Sequence, residues 1–177
     1  MQRSTLPAAA ARAGRRTPRA ADHGSLHSDG PERTRAIGRA IGEAAGPGTV
    51  LALTGELGAG KTQLAKGVAE GLGVTSVVNS PTFVLMNEHA GRMRLYHIDA
   101  YRLDDPEDAI AAGLIDERQA DGVVVVEWAD RIADWLPANR LEIEIGAPSA
   151  DPDVRELRWT AIGDAHLALA DAALRDR

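Results

Sequence analysis

Apolar and polar positions follow several distinct periods along this chain. Val50 to Leu53 is an unbroken apolar run entered from a Pro47-Gly48 turn, which predicts a strand buried on both faces of a parallel sheet. Beyond it Leu64, Val68 and Leu72 recur every fourth position, while Lys66 and Glu70 point elsewhere. That is the period of a helix with one apolar face, and Gly71 and Gly73 mark its end. A second apolar run, Val123 to Val126, predicts another buried strand, followed by a short helix ending at Pro137. Leu141 to Ile145 and Glu156 to Thr160 alternate as half-exposed strands, and Asp164 to Leu174 reads as a closing helix.

Start and stop signals organise the remainder. The stretch "PERTRAIGRAIGEAAGPG" predicts a helix from Pro31 to about Ala45, ended by Gly46-Pro47. Between the two buried strands the pattern predicts a short strand near Ser76 to Val78 and a loop around Pro81. Two further strands, roughly Phe83 to Glu88 and Met93 to Ile98, are joined around Gly91. Their local pairing would be antiparallel, so the sheet should be mixed. Asp105-Pro106 has the form of a helix start, with Glu107 and Asp108 at its positive end. No internal repeat is visible.

The buried strand and the helix at Leu64 flank Gly-x-x-x-x-Gly-Lys-Thr, Gly55 to Thr62. Strand, glycine-rich loop and helix in that order are what a P-loop requires. Gly55, Gly58 and Gly60 let the backbone curl so that successive N–H groups face phosphate oxygens, with the helix N-terminus adding partial positive charge. The nucleotide-binding set is Gly55, Glu56, Leu57, Gly58, Ala59, Gly60, Lys61, Thr62 and Gln63. Lys61 would reach the β- and γ-phosphates, and the Thr62 hydroxyl would join the coordination shell of Mg2+. Lysine occurs only at positions 61 and 66, so its presence in the motif is not background usage. The fold class is α/β: a P-loop NTPase-like mixed, mainly parallel sheet flanked by helices.

Hydrolysis needs a second hold on magnesium and a group that orients water. Asp99 follows the apolar "LYHI" and Glu127 follows "VVVV", and strand C-termini line the ligand crevice of an open α/β sheet. Glu127 is the first choice for magnesium coordination or water orientation and Asp99 takes the other role, an order the sequence leaves open. With Lys61 they are the catalytic candidates, and Thr62, Glu127 and Asp99 the metal candidates. An acid at such a position equally caps a helix or pairs with an arginine such as Arg102. Ser80-Pro81-Thr82 lies where switch segments often sit, and the Thr82 hydroxyl is a candidate for the γ-phosphate or magnesium. His97 and Asp99 share a strand face without a third ligand, so His97 reads as a packed histidine rather than a metal ligand. Trp128 would stack near the nucleotide or belong to the core.

Length and charge narrow the setting. The chain's 177 residues suit one well-buried domain and are short for two. There is no cysteine, which excludes disulfides and thiolate metal sites. No apolar run approaches a bilayer-spanning length, so a soluble cytoplasmic protein without membrane contact is expected. Residues 1–21 carry five arginines and no acid, whereas the whole chain carries −6, leaving −11 for residues 22–177. An acidic body is a poor binder of an RNA backbone by itself. Residues 1–30 are expected to be a disordered basic extension, having too few large apolar side chains to offset the entropy of ordering. The domain proper should begin at Pro31. The same Ala- and Arg-rich composition would suit a targeting segment or contact with nucleic acid.

Taken together, "ERTRAIG", "TGELGAGKT", "SPTFVL", "YHIDAYRL", "AAGLID" and "VVVVEWADR" resemble the TsaE family, formerly YjeE, of P-loop ATPases. The likeness covers about Glu32 to Ile145. A P-loop alone is generic; followed by Ser-Pro-Thr-Phe, Asp-x-Tyr-Arg and Glu-Trp it is much more specific. The resemblance implies nucleotide binding by Gly55 to Thr62, a switch-like role for Ser80 to Phe83, and Mg-ATP chemistry at Asp99 and Glu127. It also implies work beside the TsaD and TsaB proteins in tRNA threonylcarbamoyladenosine biosynthesis, with tRNA reached indirectly through that complex. Gln63, Ala129 and the basic extension depart from the family pattern. The competing readings are a small-molecule kinase, for which Arg92 and Arg94 would be lid candidates, and a nucleotide-gated binding module.

Overall fold

The computed structural model describes residues 20–81, 85–103, 120–149 and 151–175. Its strands are β1 (Ala21–Ser28), β2 (Thr49–Thr54), β3 (Met86–His89), β4 (Leu95–Asp99), β5 (Val123–Glu127), β6 (Arg140–Gly146) and β7 (Arg155–Ile162). The helices are α1 (Pro31–Ala44), α2 (Lys61–Gly71) and α3 (Asp164–Ala173), and a 3-10 segment spans Ala129–Trp135. The seven strands form one mixed sheet in the order β1-β7-β6-β2-β5-β4-β3. Its centre, β6-β2-β5-β4, is parallel, and the pairings outside it are antiparallel.

The apolar runs behave as their burial requires. β2 alternates between two cores: Leu51 and Leu53 face α1, α2 and α3, while Val50 and Ala52 join Tyr96, Ile98, Val124 and Val126 beneath the 3-10 segment. A central parallel strand covered on both sides has no solvent face, so it reads as a continuous apolar run. In β6 and β7, Leu141, Ile143, Ile145, Leu157, Trp159 and Ala161 point inward, which produces the alternation seen in the sequence. Among the described residues no helix is long and apolar enough to cross a membrane.

Helix α2 carries the expected buried face of Leu64, Val68 and Leu72. It ends in a Schellman arrangement: Gly73 N–H donates to Glu70 O at 2.9 Å and Val74 N–H to Ala69 O at 3.0 Å, with Gly73 at φ +72°. Its other face meets α1 backbone to backbone. A Cβ on Gly67 would lie 2.0 Å from Arg35 O, and one on Gly38 would lie 2.2 Å from Leu64 O. Glycine weakens a helix interior by itself, yet here it lets two helices approach more closely than side chains allow. Arg92 then donates to the carbonyls of Gly42 at 2.6 Å and Ala45 at 2.7 Å, closing the C-terminal end of α1.

Order begins earlier than Pro31. Residues Ala21–Ser28, expected to be disordered, pair antiparallel with β7 over their whole length. Of their inward positions Leu26 joins the core, while Gly24 and Ser28 are small because they accommodate other groups. A Cβ on Gly24 would fall 2.6 Å from the Trp159 ring, and Ser28 Oγ lies 2.8 Å from Thr34 Oγ1. Residues 1–19 lie outside the described ones, as does the helix start predicted at Asp105-Pro106. The strand expected near Ser76 to Val78 is absent from the described structure: Val78 is buried but Val77 is 81% exposed, so the segment has no ladder to join.

Gly67→Ala should destabilise the protein by about 1–3 kcal/mol, the cost of forcing a methyl group into a packed contact, whereas Gly46→Ala, with open space around it, should not. Urea unfolding of the two variants checks this, and equal midpoints would contradict the helix contact. A pH dependence follows from His166, which is 4% exposed and whose Nε2 accepts the Val50 N–H at 3.1 Å. Burial pushes its pKa below the ordinary value. Burial, joined by the charge of His97, does the same for His89. The unfolded chain therefore takes up protons first as pH falls below about 6.5, and stability declines there. Unfolding midpoints at about pH 7.5 and about pH 5.5 should show a smaller drop for His166→Gln than for the wild type.

Candidate nucleotide site

The C-terminal ends of three adjacent parallel strands, β2, β5 and β4, deliver the site. β2 runs into the loop from Gly55 to Gly60, where Gly55, Gly58 and Gly60 adopt φ values of +136°, +79° and +110°. These lie in territory that side chains rarely enter. Gly55 is doubly constrained, since a Cβ there would meet Ile145 O at 2.4 Å. The loop closes with Ala59 N–H donating to Glu56 O at 3.1 Å, and α2 starts at Lys61 without a side-chain cap. The first N–H groups of α2 have no intrahelical acceptor and carry the positive end of its dipole.

Lys61 is 4% exposed. Its Nζ donates to Gly55 O at 2.5 Å and Glu56 O at 2.8 Å, and lies 3.7 Å from the centre of the Trp128 ring. Burial pushes the ammonium's pKa down, while the charges of Glu127, Asp99 and Asp130, in decreasing order, pull it back up. Trp128 holds φ 58°, a left-handed conformation unusual for an aromatic residue. It turns back from the end of β5 over Lys61, with Tyr101 against it at 4.8 Å between ring centroids.

Glu127, 2% exposed, is held from two sides. Thr62 Oγ1 donates to Oε2 at 2.9 Å, and His97 Nε2 lies 2.7 Å from Oε1. His97 is therefore more than a packed strand residue: it is fully buried and bound to the acid of the neighbouring strand. Asp99 accepts from the Ser80 hydroxyl and from the Tyr101 N–H at 2.9 Å. Both acids thus line the cavity beside the glycine loop, and neither pairs with an arginine among the described residues.

A cavity of about 500 Å³ covers this arrangement, lined by Leu57 to Gln63, Ser80, Pro81, Leu85, Asp99, Tyr101, Arg102, Glu127 and Trp128. That volume is in the range of small-molecule sites. Gly55 and Glu56 lie behind it and face Lys61 with their carbonyls. Thr82 falls outside the described residues. Arg92 and Arg94 are elsewhere, on the end of α1 and on Glu88 respectively. The place of Tyr101 against Trp128, the bond from His97 to Glu127 and that from Ser80 to Asp99 emerge only in the folded chain. The alternation of His97 and Asp99 was the one signal available. A buried ammonium bonded to carbonyls, beside a hydroxyl–carboxylate pair, fits a phosphate chain with a divalent cation. Among the described residues no three acids or histidines gather to hold a metal alone, so such an ion would draw further ligands from phosphate and water.

His97→Ala should leave Glu127 buried with a single partner and cost about 1–3 kcal/mol. The double variant with Glu127→Gln should lose less than the sum of the single changes. Urea unfolding of the four proteins measures the coupling, and additive losses would contradict the pair.

Comparison with known proteins agrees with this geometry. The family model for "Threonylcarbamoyl adenosine biosynthesis protein TsaE" matches residues 28–156. The Bacillus subtilis tRNA threonylcarbamoyladenosine biosynthesis protein TsaE is 44% identical over 146 residues, covering 82% of this chain and 90% of the relative. The Streptomyces coelicolor protein of the same name is 37% identical over 145 residues, covering 79% and 97%. The crystal structure of Bacillus subtilis YdiB aligns with a TM-score of 0.72 at 38% identity, over 88% of this chain and 97% of that one. Motifs, fold and relatives converge, and the chain belongs to the TsaE family.

Proposed function

We propose that this protein is the ATP-hydrolysing component of the machinery that installs threonylcarbamoyladenosine in tRNA. The observation that carries the reading is Lys61, buried under Trp128 at the mouth of the glycine loop and flanked by the Thr62–Glu127 pair. ATP's phosphates would replace the Gly55 and Glu56 carbonyls as the partners of Lys61, against the N–H groups of Gly58 to Thr62. Thr62 and Glu127 would hold magnesium between them and the phosphates, because hydroxyl and carboxylate already share one point. The bound cation supplies neutralisation of the charge that builds on the phosphate oxygens.

Asp99 then takes the remaining role. It sits across the cavity with Ser80 and the Tyr101 backbone holding its two oxygens, a posture suited to orienting a water molecule. Attack by that water on the γ-phosphorus breaks its bond to the bridging oxygen and yields ADP and phosphate. Trp128 and Tyr101 would exclude other water from the reacting end, and Thr82 remains a candidate for sensing the γ-phosphate. His97 holds Glu127 in place.

Substrate chemistry on the tRNA belongs to partners in this reading. The −11 body repels an RNA backbone, so the protein would act in the cytoplasm on TsaD and TsaB and meet tRNA only through them. The kinase alternative loses both its lid candidates, since Arg92 and Arg94 are engaged away from the cavity.

Lys61→Ala should abolish measurable ATP binding by calorimetry, and unchanged affinity would sink the assignment of the loop. Glu127→Ala should bind ATP but lose hydrolysis by at least about a hundredfold, and a variant that turns over normally would remove Glu127 from the mechanism.

A further inference from the structure

The phosphate cradle is braced from outside by a residue that no nucleotide motif contains. Arg155, the first residue of β7, donates from Nε to Ala59 O at 3.0 Å and from Nη2 to Gly58 O at 3.4 Å. Its Nη1 donates to Pro152 O at 2.6 Å and Val154 O at 2.8 Å. The guanidinium is thus fixed by its own segment before it reaches the loop. These are the two carbonyls immediately before Gly60 and Lys61, where the cradle turns into α2.

A peptide unit is planar and trans, so its C=O and N–H point in opposite directions. Drawing Ala59 C=O outward onto Arg155 turns the Gly60 N–H the opposite way, on a loop whose Gly58 to Thr62 stretch lines the cavity. Gly60 N–H has no acceptor among the described residues. Gly60 sits at φ +110°, a conformation that glycine reaches but does not prefer over others. An isolated loop of this composition would therefore sample several peptide orientations. Arg155 selects one, and Gly55 packed on Ile145 O holds the other end of the loop against β6.

We infer that Arg155 is a positioning residue for phosphate binding: by holding the Ala59 and Gly58 carbonyls it keeps the Gly60 amide aimed at the nucleotide's phosphates. The inference rests on the nucleotide reading of the loop. It predicts a defect in recognition of the phosphate chain itself, which a general loss of sheet stability would not produce.

Calorimetric titration of the full-length chain with Mg-ATP and, separately, with inorganic tripolyphosphate tests this. Arg155→Ala should weaken both ligands about tenfold, the scale of a lost charged hydrogen bond, with the bound and free proteins still cooperatively folded. Arg155→Lys, which keeps one donor and the charge, should recover part of the loss. Arg158→Ala, three residues further along β7 and exposed, should bind as the wild type does. Unchanged tripolyphosphate affinity in Arg155→Ala would overturn the inference, as would an equal loss in Arg158→Ala. If Arg155→Ala does not fold, Arg155→Lys decides: weaker binding of both ligands with an unaltered melting temperature supports the role, and wild-type affinity overturns it. A wild-type protein that bound neither ligand would instead sink the nucleotide reading.

Discussion

A buried ammonium group organises this molecule. Removing a cation from water is costly unless other groups replace the hydration, and Lys61 obtains replacements from three strands. Carbonyls come from the loop that leaves β2, a ring face comes from Trp128 at the end of β5, and negative charge comes chiefly from Glu127 with Asp99 from β4. Each is a neutral or distant partner. A phosphate chain would be the first anion to meet Lys61 directly, which is why a loop folded onto its own carbonyls is compatible with tight binding of a charged ligand.

That loop keeps its shape because neighbouring elements leave it little freedom. Behind it, Gly55 is pressed against β6 and Arg155 reaches in from β7. Beyond it, α2 lies against α1 through glycines on both helices, so the helix whose N-terminus faces the cavity is seated against backbone rather than adjustable side chains. Strands β6 and β7, which hold no candidate catalytic side chain, thus bear on the geometry of the site.

Much of this was legible in the sequence where one period or one motif carried the signal. The apolar runs at Val50 and Val123, the helix face of Leu64, Val68 and Leu72, and the loop from Gly55 to Thr62 all stand where the pattern puts them. Asp99 and Glu127 were legible as acids ending buried strands, and the structure brings both to one cavity. What escaped depends on distant contacts. Strand β1 was illegible because Leu26 is its one large inward residue, Gly24 and Ser28 being small to make room for Trp159 and Thr34. His97 looked like core because its partner lies 30 residues away. Arg155 carries no local signal at all, since its meaning lies in two carbonyls 96 and 97 residues earlier.

Acidity and family bear together on the biological role. The body carries −11, a poor starting point for binding an RNA backbone, and the relatives are named for a tRNA modification; the proposed role reconciles the two by leaving the RNA to partners. The most direct test is ATP turnover by the purified protein, alone and with its cognate TsaD and TsaB. Turnover that rises clearly when both partners are present is the expected result. A rate indifferent to them would contradict the proposed role, even with the nucleotide site intact.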